Sequence, residues 1–162
     1  MATEEARHQL NSAILAAGGG QWLITAGKGV HEADPFGNLT STTPAWRKAV
    51  CHYVGGGDGG FNHGDFNSTE WVQSGLAASK TITALRAITP SSGAYWNESD
   101  RYEPNWEQSF WGAENYSRLK AIKQKYDPSG MFRVWNGVAG LRAETKTTEK
   151  FIASDLHNLF LH

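Results

Sequence analysis

From Gly55 to Gly64 the chain reads Gly-Gly-Gly-Asp-Gly-Gly-Phe-Asn-His-Gly, and a regular element cannot run through it. Glycine lacks a Cβ and gives up more conformational freedom on ordering than any other residue, so a run of this kind favours a loop over a helix or strand. The helices and strands must therefore lie on either side of it, and the run itself is predicted to be a flexible loop that can serve as a lid.

Ahead of the loop, Ala6, Leu10, Ala13, Ile14 and Ala17 recur at helical spacing, with Thr3 as N-cap and Gly18 as stop, which predicts an amphipathic helix. The short apolar run Gln21–Ala26 reads as a strand, and residues 31–44 as turn chemistry. Trp46–Val54 favours a strand over a helix. If extended, it puts Val50, His52 and Val54 on one face and Ala49, Cys51 and Tyr53 on the other.

Beyond the loop, the apolar spacing predicts one long helix over Thr69–Ile88, capped by Asn67 or Ser68 and broken by Thr89-Pro90-Ser91-Ser92-Gly93. Ala94–Glu98 reads as a strand, with Tyr95 and Asn97 on one face and Trp96 and Glu98 on the other. Helices around Trp106–Trp111 and Tyr116–Tyr126 end at Asp127-Pro128-Ser129-Gly130. Met131–Trp135 looks extended, and residues 141–162 form a helix-like tail. The order of elements predicts one α+β domain over residues 1–162, an antiparallel sheet backed by helices.

Charge narrows the function classes. Fifteen Lys+Arg against 16 Asp+Glu leave a net −1, with no basic stripe for a phosphate backbone or an anionic membrane. The lone Cys51 cannot form an internal disulfide or complete a zinc set, so no metal is expected. The amino terminus is acidic and polar where a secretory signal would be basic and apolar, and the expectation is a cytoplasmic protein. Sequons at Asn38, Asn67, Asn97 and Asn115 carry little weight in that setting.

The excess lies in the aromatics: 7 Trp, 7 Phe and 5 Tyr, large stiff surfaces suited to a core or to a ligand cavity. Trp46, Tyr53, Trp96 and Trp111 are candidate walls for a small-molecule substrate. His52 and His63 are candidate acid–base groups, each with a structural reading beside it. Asp58, Asn62 and Asp65 loosely suggest a calcium loop, but their spacing fits neither an EF-hand nor a calcium-binding β-helix repeat. Glu98, Asp100 and Glu103 form an acidic group able to supply a carboxylate base, but charges at a strand end face water, and that reading holds unless one of them is buried. Lys120, Lys123 and Lys125 read as a solvated face, with Leu119 and Ile122 looking inward.

The run Thr89–Asp100, followed by Trp106, Phe110-Trp111-Gly112, Asn115-Tyr116-Ser117-Arg118-Leu119 and Lys120–Phe132, resembles the terminal signature of berberine-bridge-type FAD-linked oxidoreductases. Pro44-Ala45-Trp46-Arg47 matches a piece that precedes it in that family, so the resemblance covers roughly residues 20–140. It implies a strand carrying a Tyr-x-Asn pattern that faces flavin and substrate, which would make Tyr95 and Asn97 pocket residues: a hydroxyl and an amide able to polarise a carbonyl. The family's flavin-binding part, with its covalent-attachment His and Cys, has no counterpart here. Gly18-Gly19-Gly20 closes a helix instead of opening one, so no cofactor is expected for this chain.

Three functions are compatible with this pattern. One is a flavin-independent enzyme of secondary metabolism that folds a substrate for pericyclic cyclisation or isomerisation. Another is one half of a split oxidoreductase that docks on a separate flavin-domain protein. The last is a non-catalytic ligand-binding remnant. A sheet cut from a larger one leaves strand edges, so a homodimer is also expected.

Overall fold

The computed structural model describes residues 3–18, 20–24, 27–55, 68–98 and 100–140. The glycine loop with His63, Asp58, Asn62 and Asp65, and the tail 141–162, lie outside the described residues.

Helix α1 (Glu4–Ala16) begins where its sequence says it should. The Thr3 hydroxyl accepts the Ala6 amide at 3.2 Å, and Glu4 and Glu5 sit in the first turn, where negative charge complements the helix dipole. Ala13 and Ala17 are the buried stripe of this segment. Strand β1 (Gly20–Ile24) leads to a short helix α2 (Lys28–Ala33), where turn chemistry had been expected from residue 31. Strand β2 (Cys51–Gly55) pairs antiparallel with β1, with Trp22 opposite Tyr53 and Leu23 opposite His52. The strand expected over Trp46–Val54 is thus confined to its second half, because Pro44–Arg47 closes a 3-10 turn with proline at its start.

The long helix expected over Thr69–Ile88 is two helices, α3 (Ser68–Thr81) and α4 (Thr83–Ile88). The break falls in the β-branched run Thr81-Ile82-Thr83. There the Thr81 hydroxyl donates to the Ala78 carbonyl at 2.7 Å and competes with the helix ladder. Apolar periodicity continues through this break, which is why spacing alone does not reveal it.

The strand expected over Ala94–Glu98 does not form. Trp96–Glu98 is a 3-10 turn, closed by the Glu98 amide on the Tyr95 carbonyl at 3.2 Å, so Tyr95 and Asn97 do not share a strand face. Over Met131–Trp135 no strand forms either, although Trp135 takes part in an isolated β-bridge. Glu107–Trp111 forms a π-helical turn that ends at Gly112 (φ 76°), a left-handed position suited to glycine. Helix α5 (Ala113–Tyr126) follows, its first amide accepted by the Gln108 side chain at 3.0 Å. Ile122, expected to look inward from α5, is exposed.

The molecule is α+β with an antiparallel sheet. Its buried apolar side chains among the described residues are Ala13, Ala17, Val72, Phe110 and Tyr116, with α1 packed on α4 and α5 on the π-helical turn. The described Trp residues are half-buried at best, and Trp22 is exposed. They pack through ring faces: Trp106 on Tyr116 edge-on at 5.4 Å, and the Arg101 guanidinium between Trp71 at 4.4 Å and Trp135 at 5.5 Å. No described helix is long and apolar enough to cross a membrane.

Candidate active site

Three aromatic side chains from three separate segments meet at one cleft. Trp46 comes from the Pro44–Arg47 turn, His52 from β2 and Tyr95 from the segment before the 96–98 turn. Their ring centroids lie 5.8 Å (Trp46–His52), 5.6 Å (Trp46–Tyr95) and 6.0 Å (His52–Tyr95) apart, two of the three contacts being edge-on. The cleft holds ≈ 210 Å³, and Lys48, Cys51, Ser91 and Ser92 complete its polar border. Tyr95 is 40% exposed, so its ring stands at the mouth.

Each wall is fixed by polar bonds behind it. On the Trp46 side, buried Asp34 accepts the Asn38 and Leu39 amides at 3.1 and 3.2 Å and pairs with Arg47 Nε at 3.4 Å, one residue from Trp46. On the Tyr95 side, the Ala94 amide donates to the Ser109 carbonyl at 2.9 Å. The Ser109 hydroxyl donates to Glu103 at 2.8 Å, and Arg86 bridges Glu103 at 2.6 Å and Asp100 at 2.9 Å. Asp100 and Glu103 of the acidic group are therefore structural, Glu103 being only 6% exposed with its charge met by Arg86, while Glu98 is exposed. Burial opposes the charge on Arg86, but hydrogen bonds and attraction from Glu103 and Asp100 outweigh it and hold its pKa above the usual value.

The two walls touch at Gly93. A Cβ there would come within 2.7 Å of the Ser109 carbonyl oxygen and the Thr43 hydroxyl, and 2.9 Å of the Ala45 methyl. Only glycine permits this approach, which sets the spacing across the cleft.

The structure brings together Tyr95, His52 and Trp46 and leaves the other expected residues elsewhere. Asn97 is exposed on the 3-10 turn and does not line the cleft. Trp96 packs on Trp111 at 5.8 Å, and the Trp111 indole donates to the Asn136 carbonyl at 3.3 Å, so this pair braces the 96–136 region. Tyr53 lies against Trp22 at 4.8 Å on the sheet face opposite His52, as period-two alternation requires. Asn115, a sequon residue, is buried and donates to the Gly37 carbonyl at 2.7 Å. Lys48, Ser91 and Ser92 escaped the sequence reading. They flank the Pro44–Arg47 and Ala94–Glu98 pieces, and nothing local marks short polar residues as the border of a cleft.

Chemically, the arrangement offers ring faces for a flat conjugated molecule, a phenol able to donate a hydrogen bond and an imidazole able to exchange a proton. Among the described residues no group of three or more His, Cys, Asp or Glu is placed to hold a metal ion.

Residues 94–139 match the family model described as "Berberine and berberine like". The chain is 39% identical over 99 residues to an FAD-linked oxidoreductase of Arthroderma benhamiae, covering 61% of this chain and 16% of the relative. It is 30% identical over 125 residues to the FAD-linked oxidoreductase OXR2 of Pyricularia oryzae (77% and 21%), and 38% identical over 101 residues to the bifunctional decalin synthase calF of Penicillium decumbens (59% and 16%). This chain therefore spans about a fifth or less of the length of these relatives. No solved structure matches.

The names of the two FAD-linked oxidoreductases imply FAD, and the described residues do not fit it. The cleft of ≈ 210 Å³ falls below the roughly 300–1,000 Å³ of pockets that enclose a drug-sized ligand. Helix α2, which does follow a strand and Gly27, is only six residues long, a weak anchor for a pyrophosphate. The described residues can at most border a flavin held by other groups. Within the longer stretch shared with FAD-linked oxidoreductases, residues 94–139 are a berberine-bridge-type segment.

Proposed function

We propose that this chain supplies the substrate-facing wall of a small-molecule enzyme of secondary metabolism, and that the Trp46–His52–Tyr95 cleft promotes a non-redox cyclisation or isomerisation. The observation that carries this reading is the convergence of three rings from distant segments on one cleft. Aromatic walls hold a polyunsaturated substrate in a reactive conformer, the Tyr95 hydroxyl donates to a carbonyl as charge shifts towards oxygen, and His52 moves a proton where isomerisation needs one. A pericyclic ring closure turns π bonds into σ bonds with no change in atoms or oxidation level, so it requires no electron acceptor. A decalin synthase among the relatives supports ring-forming chemistry.

The exposed apolar side chains Trp22, Leu23 and Ile24 of β1, with the small share of each relative that the chain spans, favour a second reading. On it, the same wall works only when docked on a flavin domain. The expected self-association through an uncovered strand edge belongs beside it, and light scattering separates monomer from dimer.

The test is to purify the chain, record flavin absorbance and incubate it with polyene and quinone-methide substrates. Conversion by a colourless protein, reduced at least tenfold in Tyr95→Phe, supports the first reading. Activity that appears only with an added flavin domain supports the second. Turnover unchanged by both Tyr95→Phe and Trp46→Ala overturns the site.

A further inference from the structure

The cleft's border carries one sign of charge. Lys48 is exposed beside the rings and takes part in no ion pair among the described residues. Ser91 and Ser92 stand on the same border, with the Ser92 hydroxyl donating to Thr89 Oγ1 at 3.1 Å and its oxygen left able to accept. Although the chain holds 16 acidic residues against 15 basic ones, no described carboxylate lines the cleft. Of the acids nearest in sequence to its walls, Asp34 is engaged by Arg47, and Asp100 and Glu103 by Arg86, while Glu98 is exposed on the 3-10 turn and does not line the cleft.

We infer that the cleft selects flat, conjugated carboxylates, with the ring system lodged against Trp46, His52 and Tyr95 and the carboxylate turned outward to Lys48. This inference rests on the proposed cleft and adds the substrate class. An aromatic floor contributes affinity through area and ring geometry without choosing between a neutral and an anionic ligand. Lys48 makes that choice, because an uncompensated ammonium beside an apolar surface attracts an anion and disfavours a cation. A volume of ≈ 210 Å³ suits a small fused-ring fragment better than a long chain.

The experiment titrates the full chain with 2-naphthoate, 2-naphthalenemethanol and 2-naphthylmethylamine at low salt, following the Ala45 and Ala49 methyl signals by NMR. Naphthoate is expected to bind roughly fivefold more tightly than the alcohol, the scale of an exposed ion pair, with the amine weakest. The preference should shrink as salt rises, vanish in Lys48→Gln and survive in Lys48→Arg. Equal binding of acid and alcohol, or a preference that persists in Lys48→Gln, overturns the charge selection while the cleft itself stands. If no ligand moves either methyl, the cleft reading fails and this inference fails with it.

Discussion

The segment from Asp100 to Gly140 and the β1–β2 sheet are held by different physics. In the first, polar groups cross long sequence distances, and Glu103, Asn115 and Asn136 among them are buried. Glu103 meets Arg86 and Ser109, Asn115 reaches Gly37, and the Trp135 indole and Asn136 amide both donate to the Arg101 carbonyl. In the second, every residue of β1 is exposed, and the sheet is covered mainly by rings, Trp22 on Tyr53 on one face and His52 against Trp46 and Tyr95 on the other. Directional bonds with a desolvated partner specify one arrangement, because a lost partner leaves a buried group unpaired. Ring packing tolerates small displacements. The stitched segment is also the one that matches the berberine-type family model.

The sharpest way to break this contrast is Glu103→Ala. It strips half-buried Arg86 of its shorter ion pair and Ser109 of its acceptor, two hydrogen bonds to a buried charge, and is expected to cost about 3 kcal/mol. Urea denaturation checks this, and a loss well under that value would mean that Asp100 alone sustains the network.

Next comes Gly93→Ala, which forces a methyl against the Ser109 carbonyl and the Thr43 hydroxyl. About 2 kcal/mol of overpacking strain is expected, with the walls of the cleft pushed apart. Tm and the affinity for naphthoate should fall together. A drop in Tm with unchanged affinity would show that Gly93 does not set the spacing.

A titration probes the same stitched segment from another side. Asp127 accepts a hydrogen bond from Lys123 and the Met131 and Phe132 amides at 2.8 and 3.0 Å, and these bonds hold its pKa below the ordinary carboxylate value. A depressed folded-state pKa contributes stability above the unfolded value, lost as pH falls through the folded one. Stability should therefore decline on acidification below the usual carboxylate range, and Asp127→Asn should flatten that acid limb. An unaltered limb in the variant would remove Asp127 from the account.

The smallest effect is predicted on the sheet. Ile24, 87% exposed, should tolerate replacement by Thr within about 0.5 kcal/mol in the isolated chain. If a flavin domain covers β1, the same change should weaken co-purification with that domain, which separates the two readings of function.

Local code carried much of the fold into view. Thr3 with Glu4 and Glu5 starts α1, Asp127-Pro128-Ser129-Gly130 ends α5, and alternation puts His52 and Tyr53 on opposite sheet faces. Each depends on a few neighbouring residues, through capping, backbone restriction by proline or the period of a strand. The same code misled at Tyr95–Asn97. Tyrosine and tryptophan favour strands only where a neighbouring strand accepts their ladder, and here the Ala94 amide goes to Ser109 while the chain curls into a 3-10 turn.

The candidate site was legible as a list of residue types and illegible as a place. Trp46, His52 and Tyr95 stood out as aromatic or titratable, yet so did Asn97, Trp96, Trp111 and Tyr53, which lie elsewhere. The sequence by itself determined the α+β class, the start of α1, the end of α5, the aromatic surplus and the near-neutral charge. Only the tertiary structure decided which rings converge, that Glu103 braces a wall instead of serving as a base, and that Lys48 stands unpaired beside the rings among the described residues. The physical reason is distance along the chain: these juxtapositions join residues 43–52 to residues 86–109 through ring contacts and the close approach at Gly93, which no local periodicity encodes.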